Sequence, residues 1–242
     1  MIDIHCHIMP GVDDGADNYE ESLAMAREAF AAGTNVMVVT PHYYNSSQMR
    51  FEMTKADVIQ RFQDLQAYFA ENGCPVRLCI GAEHFGVQNI GRLAEENRLI
   101  PINGSRYVLV EFDFDDEHQR VRYVLSQLIS AGYVPVVAHP ERYYFLQREP
   151  ELVYDYLEKG CLLQVNKGSP LGRYGEEEKR LAMWLLNNRL PHVIASDCHS
   201  PYQRTPDMSD LHEEMCINVS ERYAKMLFID NPLKILRNEH VV

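Results

Sequence analysis

Much is scarce or missing in this 242-residue chain, and each absence removes a class of protein. No apolar run approaches the roughly 18 residues a membrane-spanning helix needs. The N terminus has neither the basic nor the apolar region of a secretory leader, so we expect a cytoplasmic protein. Basic residues are outnumbered, with 23 Lys plus Arg against 35 acids. A net charge of −12 leaves no general basic face for the phosphates of nucleic acid, although a local basic pocket is compatible with it. The six cysteines, Cys6, Cys74, Cys79, Cys161, Cys198 and Cys216, contain no CxxC pair, and several sit in apolar segments. That pattern fits reduced, buried thiols rather than a thiolate zinc framework. There is no long linker, repeat or low-complexity stretch, and we expect one domain over 1–242.

What is present alternates between two periodicities. Ile2 and Ile4 mark a first strand, and apolar runs at 36–40, 76–82, 106–110, 134–138, 162–165 and 193–196 read as buried strands. Between them the spacing predicts helices over 18–32, 54–72, 117–131, 151–159 and 176–188. Val58, Phe62, Leu65 and Phe69 make one buried helical stripe, and Gly33, Gly73, Gly132 and Gly160 act as stops. Asn18 with Glu21 and Asn218 with Glu221 read as capping boxes, and Asn231-Pro232 as a helix start. The segment 43–52 reads as a polar, aromatic loop. Strand and helix alternation implies an α/β fold with parallel strands.

The ends of the strands carry the chemistry. His5 and His7 lie two apart on the first strand and can face the same way, half of a metal site. His42, Glu83, Glu111, His139, Asp197 and His199 each stand at or just past a later strand, and the pair Asp13-Asp14 follows the first. In barrel-like α/β folds these ends share one rim. So many acids and imidazoles in one cavity repel one another unless divalent ions hold them, and the ligands are too many for a single ion. The absence of clustered thiolates favours an N/O shell suited to manganese, iron or zinc.

Taken together, DIHCHIMPGVDDGA at the start, TPHY at 40–43, GAEH at 81–84, VEF at 110–112, AHPERY at 138–143 and SDCH at 196–199 resemble the PHP (polymerase and histidinol phosphatase) superfamily. Within it the chain looks most similar to the bacterial manganese-dependent protein-tyrosine phosphatases of capsule and exopolysaccharide loci, the CpsB type. The resemblance implies a distorted seven-stranded (β/α) barrel with the metal site at its strand C-terminal rim. It implies three divalent ions, manganese first, with iron or zinc as alternatives. His5, His7, Glu83 and Asp197 would hold one; Glu83 would bridge to a second held by Glu111 and His139; Asp14, His42 and His199 would hold the third. The resemblance alone selects Asp14 over Asp13.

It also implies that Arg142 and Arg204 bind phosphate, a role suited to a planar guanidinium that pairs bidentately and stays charged. The implied reaction is attack on phosphorus by a metal-bound hydroxide. The implied substrate is a phosphotyrosine protein, the tyrosine-rich tail of a membrane-associated bacterial kinase, with no nucleic acid and no membrane insertion.

Rival readings remain. Cys198 and Arg204 have the CxxxxxR spacing of thiol-dependent phosphatases, but 199–203 contains no glycine and includes Pro201, which has no amide hydrogen to offer a phosphate. A barrel amidohydrolase also opens with HxH, but is expected to carry a carboxylated Lys at strand four, where this chain has Glu111. Within the superfamily, a phosphatase for histidinol phosphate or another small phosphomonoester is an alternative; so is a non-catalytic phosphotyrosine-binding subunit. Cys6 and Cys198, alternating with the ligands, should point away from the ions. Tyr43, Tyr44 and Phe51 with Tyr143, Tyr144 and Phe145 either rim the pocket or pack in the core.

Overall fold

The computed structural model describes residues 1–44 and 47–241; residues 45 and 46, inside the segment read as a loop, lie outside it. Among the described residues nine strands run in parallel: β1 (Ile2–Cys6), β2 (Val36–Val39), β3 (His42–Tyr43), β4 (Arg77–Ile80), β5 (Glu83–Phe85), β6 (Tyr107–Glu111), β7 (Val134–Ala138), β8 (Leu162–Asn166) and β9 (Val193–Ala195). They form a three-stranded sheet ordered β1-β2-β4 and a six-stranded sheet ordered β3-β5-β6-β7-β8-β9. The expected α/β class with parallel strands is observed, but the strands pair as two sheets rather than one continuous seven-stranded ring.

The difference arises at two places read as single strands. The run 36–40 stops at Val39, Pro41 supplies no amide to a ladder, and the chain re-enters the second sheet as β3. The run 76–82 breaks after Ile80 at Gly81, where a Cβ would come within 2.9 Å of Val38, and resumes as β5. His42 and Glu83 therefore open short strands and pair in register with each other.

At the other seam, Cys6 and Cys198 form an isolated parallel bridge. The amide of Asp197 donates to the His5 carbonyl and that of His7 to the Cys198 carbonyl, both at 2.9 Å. Asp3, fully buried, accepts from the amide and hydroxyl of Ser196 and fastens the same seam. The HxH and DxH segments thus lie side by side.

Helices cover the sheets. Helix Lys55–Glu71 buries the predicted stripe Val58, Phe62, Leu65 and Phe69, each worth about 1.5–3 kcal/mol on burial. Thr54 and Asp57 close its N terminus as a capping box. Other predicted ends differ. Asn18 caps Tyr19–Ala31, but Glu21 accepts from the Asp17 amide rather than from Asn18. Ser220, not Asn218, caps Glu221–Lys225. Asn231 starts no new helix: the backbone before it is already helical, and its buried amide donates to the His192 carbonyl. Short helices at Ile90–Glu95 and Tyr144–Arg148 have too few residues to show a period and were not expected. No helix among the described residues is long and apolar enough to cross a membrane.

Candidate metal and phosphate site

The two sheets and their seam bring His5, His7, His42, Glu83, Glu111, His139, Asp197 and His199 together, all buried, with the half-exposed Asp14 at the edge. His5 Nε2 and His7 Nε2 face each other at 3.2 Å. Glu83 sits against both, at 3.2 Å from His5 and 3.3 Å from His7, and Asp197 Oδ1 lies 3.4 and 3.5 Å from the same nitrogens. Asp14 Oδ1 is 3.3 Å from His42 Nε2 and 3.2 Å from His199 Nε2. Glu111 approaches His42 Nδ1 at 2.9 Å, and His139 Nε2 approaches Glu83 at 3.0 Å. Ligand atoms close enough to share an ion therefore include His5, His7 and Glu83; His7, Asp14, His42 and His199; and His42, Glu83 and Glu111. His139 joins them through Glu83 rather than beside Glu111.

Four of the five histidine rings, all but His139, follow one rule. His5 Nδ1 donates to Gln164 (2.8 Å), His7 Nδ1 to Asp13 (3.0 Å), His42 Nδ1 to Glu111 (2.9 Å) and His199 Nδ1 to the Asp197 carbonyl (3.1 Å). Each bond fixes a tautomer with its proton on Nδ1 and leaves the Nε2 lone pair facing the shared cavity, as a metal-binding histidine requires. Buried atoms without a hydrogen-bond partner include His42 Nε2, His199 Nε2, Glu83 Oε2 and His139 Nδ1. Such atoms lose several kcal/mol of solvation unless a cation takes their lone pairs, so the donor set fits divalent ions with N/O preference.

Without cations the carboxylates and imidazoles of the cluster pair with one another. Burial pushes Glu83 and Asp197 up, yet His5 with His42 at the first, and Arg204 with His5 at the second, outweigh it and hold both carboxyls well below their ordinary range. Burial depresses His42, but Glu111 and Glu83 reverse that and raise it. His199, buried beside His7, falls to about 4.

Asp13 and Asp14 separate by geometry. Asp13 is fully buried and turned inward, accepting from His7 Nδ1, the His42 amide (2.9 Å) and the Gly15 amide (3.0 Å). Gly15 permits this turn, since a Cβ there would stand 2.1 Å from the His7 carbonyl. Asp13 orients, and Asp14 faces the ring nitrogens.

Both arginines converge on Asp197. Arg204 Nη2 lies 2.5 Å and Arg142 Nη1 3.8 Å from Oδ2, which also accepts from Asn166 Nδ2 at 2.6 Å. One carboxylate oxygen thus serves the imidazoles and the other the guanidiniums. His139, Asp197 and Arg204 hold left-handed φ values of 33°, 50° and 51°, which costs about 1–3 kcal/mol each; the first two turn the chain just past the ends of β7 and β9.

Other predicted residues fall elsewhere. Tyr43 and Tyr143 are core residues, the latter donating to the Ala138 carbonyl; Tyr144 and Phe51 are exposed. Cys198 is fully buried in an apolar cluster with Cys6, a setting unlike the exposed one a thiol nucleophile needs. Sequence reasoning missed Gln164 and Asn166, whose amides link to each other and to His5 and Asp197. Polar residues at two alternate positions of an otherwise apolar strand were the available signal. Tyr174, between the arginines, gave none.

Comparison with known proteins places these features in a family. The model of the family "Capsular polysaccharide synthesis, CpsB/CapC" matches residues 1–237. The chain is 31% identical over 244 residues to the tyrosine-protein phosphatase CpsB of Streptococcus pneumoniae, covering 99% of each. It is 30% identical to the tyrosine-protein phosphatase YwqE of Bacillus subtilis strain 168, covering 100% of this chain and 93% of that protein. Among solved structures it is similar, at TM-score 0.93 and 30% identity, to one from a study of YwqE from Bacillus subtilis and CpsB from Streptococcus pneumoniae as metal-dependent tyrosine phosphatases; 100% of this chain and 96% of that one are covered.

Proposed function

The chain belongs to the CpsB/CapC family, and from that membership we propose that it is a metal-dependent protein-tyrosine phosphatase acting in capsule or exopolysaccharide synthesis. The observation that carries this is the convergence of four Nε2 lone pairs, Glu83 and Asp197 beside two arginines that share the second oxygen of Asp197. A cation cage next to a guanidinium pair is what a phosphomonoester dianion needs.

In this reading 1–242 is one domain, the two sheets are the halves of a distorted (β/α) barrel, and three divalent ions, manganese first, would occupy the rim. His5, His7, Glu83 and Asp197 would hold one, Glu83 with Glu111 and His139 a second, and Asp14, His42 and His199 the third. When bound, such ions lower the pKa of water and neutralise phosphoryl charge.

The chain's own residues do the rest. Gln164 and Asp13 hold the proton on Nδ1 of His5 and His7, so that Nε2 stays available. Asp197 holds Arg204 through one oxygen and draws Arg142 toward the same oxygen, leaving the outer N–H groups of both to take equatorial phosphate oxygens. A phenolate leaves with a pKa of roughly 10, so departure from phosphotyrosine demands little help from an acid. The partner is a phosphotyrosine protein in the cytoplasm, the tyrosine-rich tail of a membrane-associated kinase.

Turnover of a phosphotyrosyl peptide compared with histidinol phosphate tests the assignment. We expect the peptide to be preferred in kcat/KM; preference for histidinol phosphate would overturn it, and a stable peptide complex without phosphate release at saturating manganese would point to a binding subunit.

A further inference from the structure

The loop that follows β8 contains an aromatic residue that the ligand pattern does not use. Tyr174 is half-buried, with its ring centre 5.3 Å from the Arg142 guanidinium carbon and 6.0 Å from that of Arg204. Arg142 also lies over Phe114 at 4.2 Å, so its guanidinium is held between two rings, and one of these also meets Arg204.

The ring itself is seated. A Cβ on Gly168 would come within 2.8 Å of Tyr174 Cε2, so the absence of a side chain at 168 makes the slot that the ring fills. The Arg173 amide donates to the Gly168 carbonyl at 2.9 Å, and an ion pair between Arg173 and Asp210 anchors the outer side of the same loop. Asn166, at the end of β8 where the loop begins, reaches Asp197.

A guanidinium bonds through N–H groups in its plane and stacks through its faces. A carboxylate fixes its position at the expense of donors, whereas an aromatic wall fixes its orientation and leaves the donors for a ligand. Asp197 engages Arg204 closely and Arg142 only distantly, so it does not by itself set the angle between the two forks.

We propose that Tyr174, seated on Gly168, is the positioning residue for the paired phosphate arginines, setting Arg142 and Arg204 at the spacing at which both engage one phosphoryl group. The proposal rests on the phosphatase reading only for its turnover arm; its binding arm needs no reaction.

The test uses the full chain loaded with manganese, as wild type, Tyr174→Phe, Tyr174→Ala and Gly168→Ala. Inorganic phosphate binding is measured by calorimetry, KM and kcat with a phosphotyrosyl peptide, and metal content for every variant. Loss of the shared wall should weaken phosphate binding and raise KM about tenfold in Tyr174→Ala, with kcat changed less and metal content intact. Tyr174→Phe keeps the ring and should stay within about threefold of wild type, and Gly168→Ala should shift phosphate affinity in the same direction as Tyr174→Ala.

Phosphate binding in Tyr174→Ala within about twofold of wild type overturns the proposal, as does a Tyr174→Phe defect equal to that of Ala, which would assign the effect to the hydroxyl. If Tyr174→Ala loses metal or fold, Gly168→Ala decides: weakened phosphate binding with metal retained supports the inference, and unchanged binding removes it. A wild type that binds phosphate but turns over no phosphotyrosine would refute the phosphatase reading and leave the binding comparison to decide the role of Tyr174. A wild type that binds no phosphate overturns the proposal.

Discussion

Asp13→Asn perturbs the proposed site without replacing any residue placed among the ligands. Asp13 accepts three hydrogen bonds, from His7 Nδ1 and the His42 amide on Oδ2 and from the Gly15 amide on Oδ1. Asparagine has one oxygen in place of two, and in either flip its NH2 group meets an N–H. At least one buried donor is then unsatisfied, which costs about 1–3 kcal/mol of folding stability. His7 also loses either the charge of its acceptor or the acceptor itself. Loss of such a partner behind a metal-bound imidazole weakens metal affinity about 10- to 100-fold, or about 1.4–2.7 kcal/mol. Calorimetric titration of the metal-free protein with manganese measures the affinity, and denaturant unfolding without metal measures the stability. We expect both to fall, while kcat at saturating manganese stays within about fivefold of wild type because the ligands themselves are intact. An unchanged affinity in a folded variant would refute the reasoning that Asp13 orients His7 for coordination.

Other perturbations separate the remaining roles. Arg204→Lys keeps a charge beside Asp197 but loses the fork, so kcat/KM should fall about 10- to 100-fold with metal content unchanged; activity near wild type would remove Arg204 from phosphate binding. Cys198→Ala should retain kcat within about twofold at a stability loss of about 1 kcal/mol, and abolished turnover in the folded variant would favour a thiol nucleophile. His84, buried with Nδ1 on the Leu109 carbonyl and Nε2 accepting the Ile100 amide, is lowered to about 4 by burial. Since the unfolded chain binds this proton more readily than the fold does, His84 makes no contribution above about pH 6.5; below it stability declines with falling pH until about 4, by about 3 kcal/mol in all. In the spectrum of the metal-free protein its ring protons should not titrate between pH 7 and 5; a midpoint near 6.5 would contradict the burial argument.

The chain yields its candidate ligands more readily than the parts that aim them. HxH on a strand, and acids or imidazoles just after apolar runs, are visible because strand periodicity places them at one rim. The breaks at Pro41 and Gly81 were less visible, since a run of apolar residues looks the same whether it stays in one sheet or passes between two. Asp13 and Asp14 are adjacent and chemically alike; only the Gly15 turn sorts them into a buried group behind His7 and a half-exposed candidate ligand at the edge. Gln164 and Asn166 were within reach of inspection, because amides on a buried strand must bond to something. Tyr174 was not, because its partners Arg142 and Arg204 lie 32 and 30 residues away in a fold that alone brings them together. The tyrosines chosen as pocket rim show the converse: an aromatic beside a ligand in sequence, such as Tyr43 beside His42, alternates away from it into the core.

The most direct test pairs metal analysis with turnover on a single preparation. The purified chain should carry divalent metal, with manganese supporting release of phosphate from a phosphotyrosyl peptide. Chelation should abolish turnover and strip the ions together, and added manganese should restore activity. Phosphate release that persists after the metal has been measured as gone would contradict the claim that these clustered side chains work by holding cations.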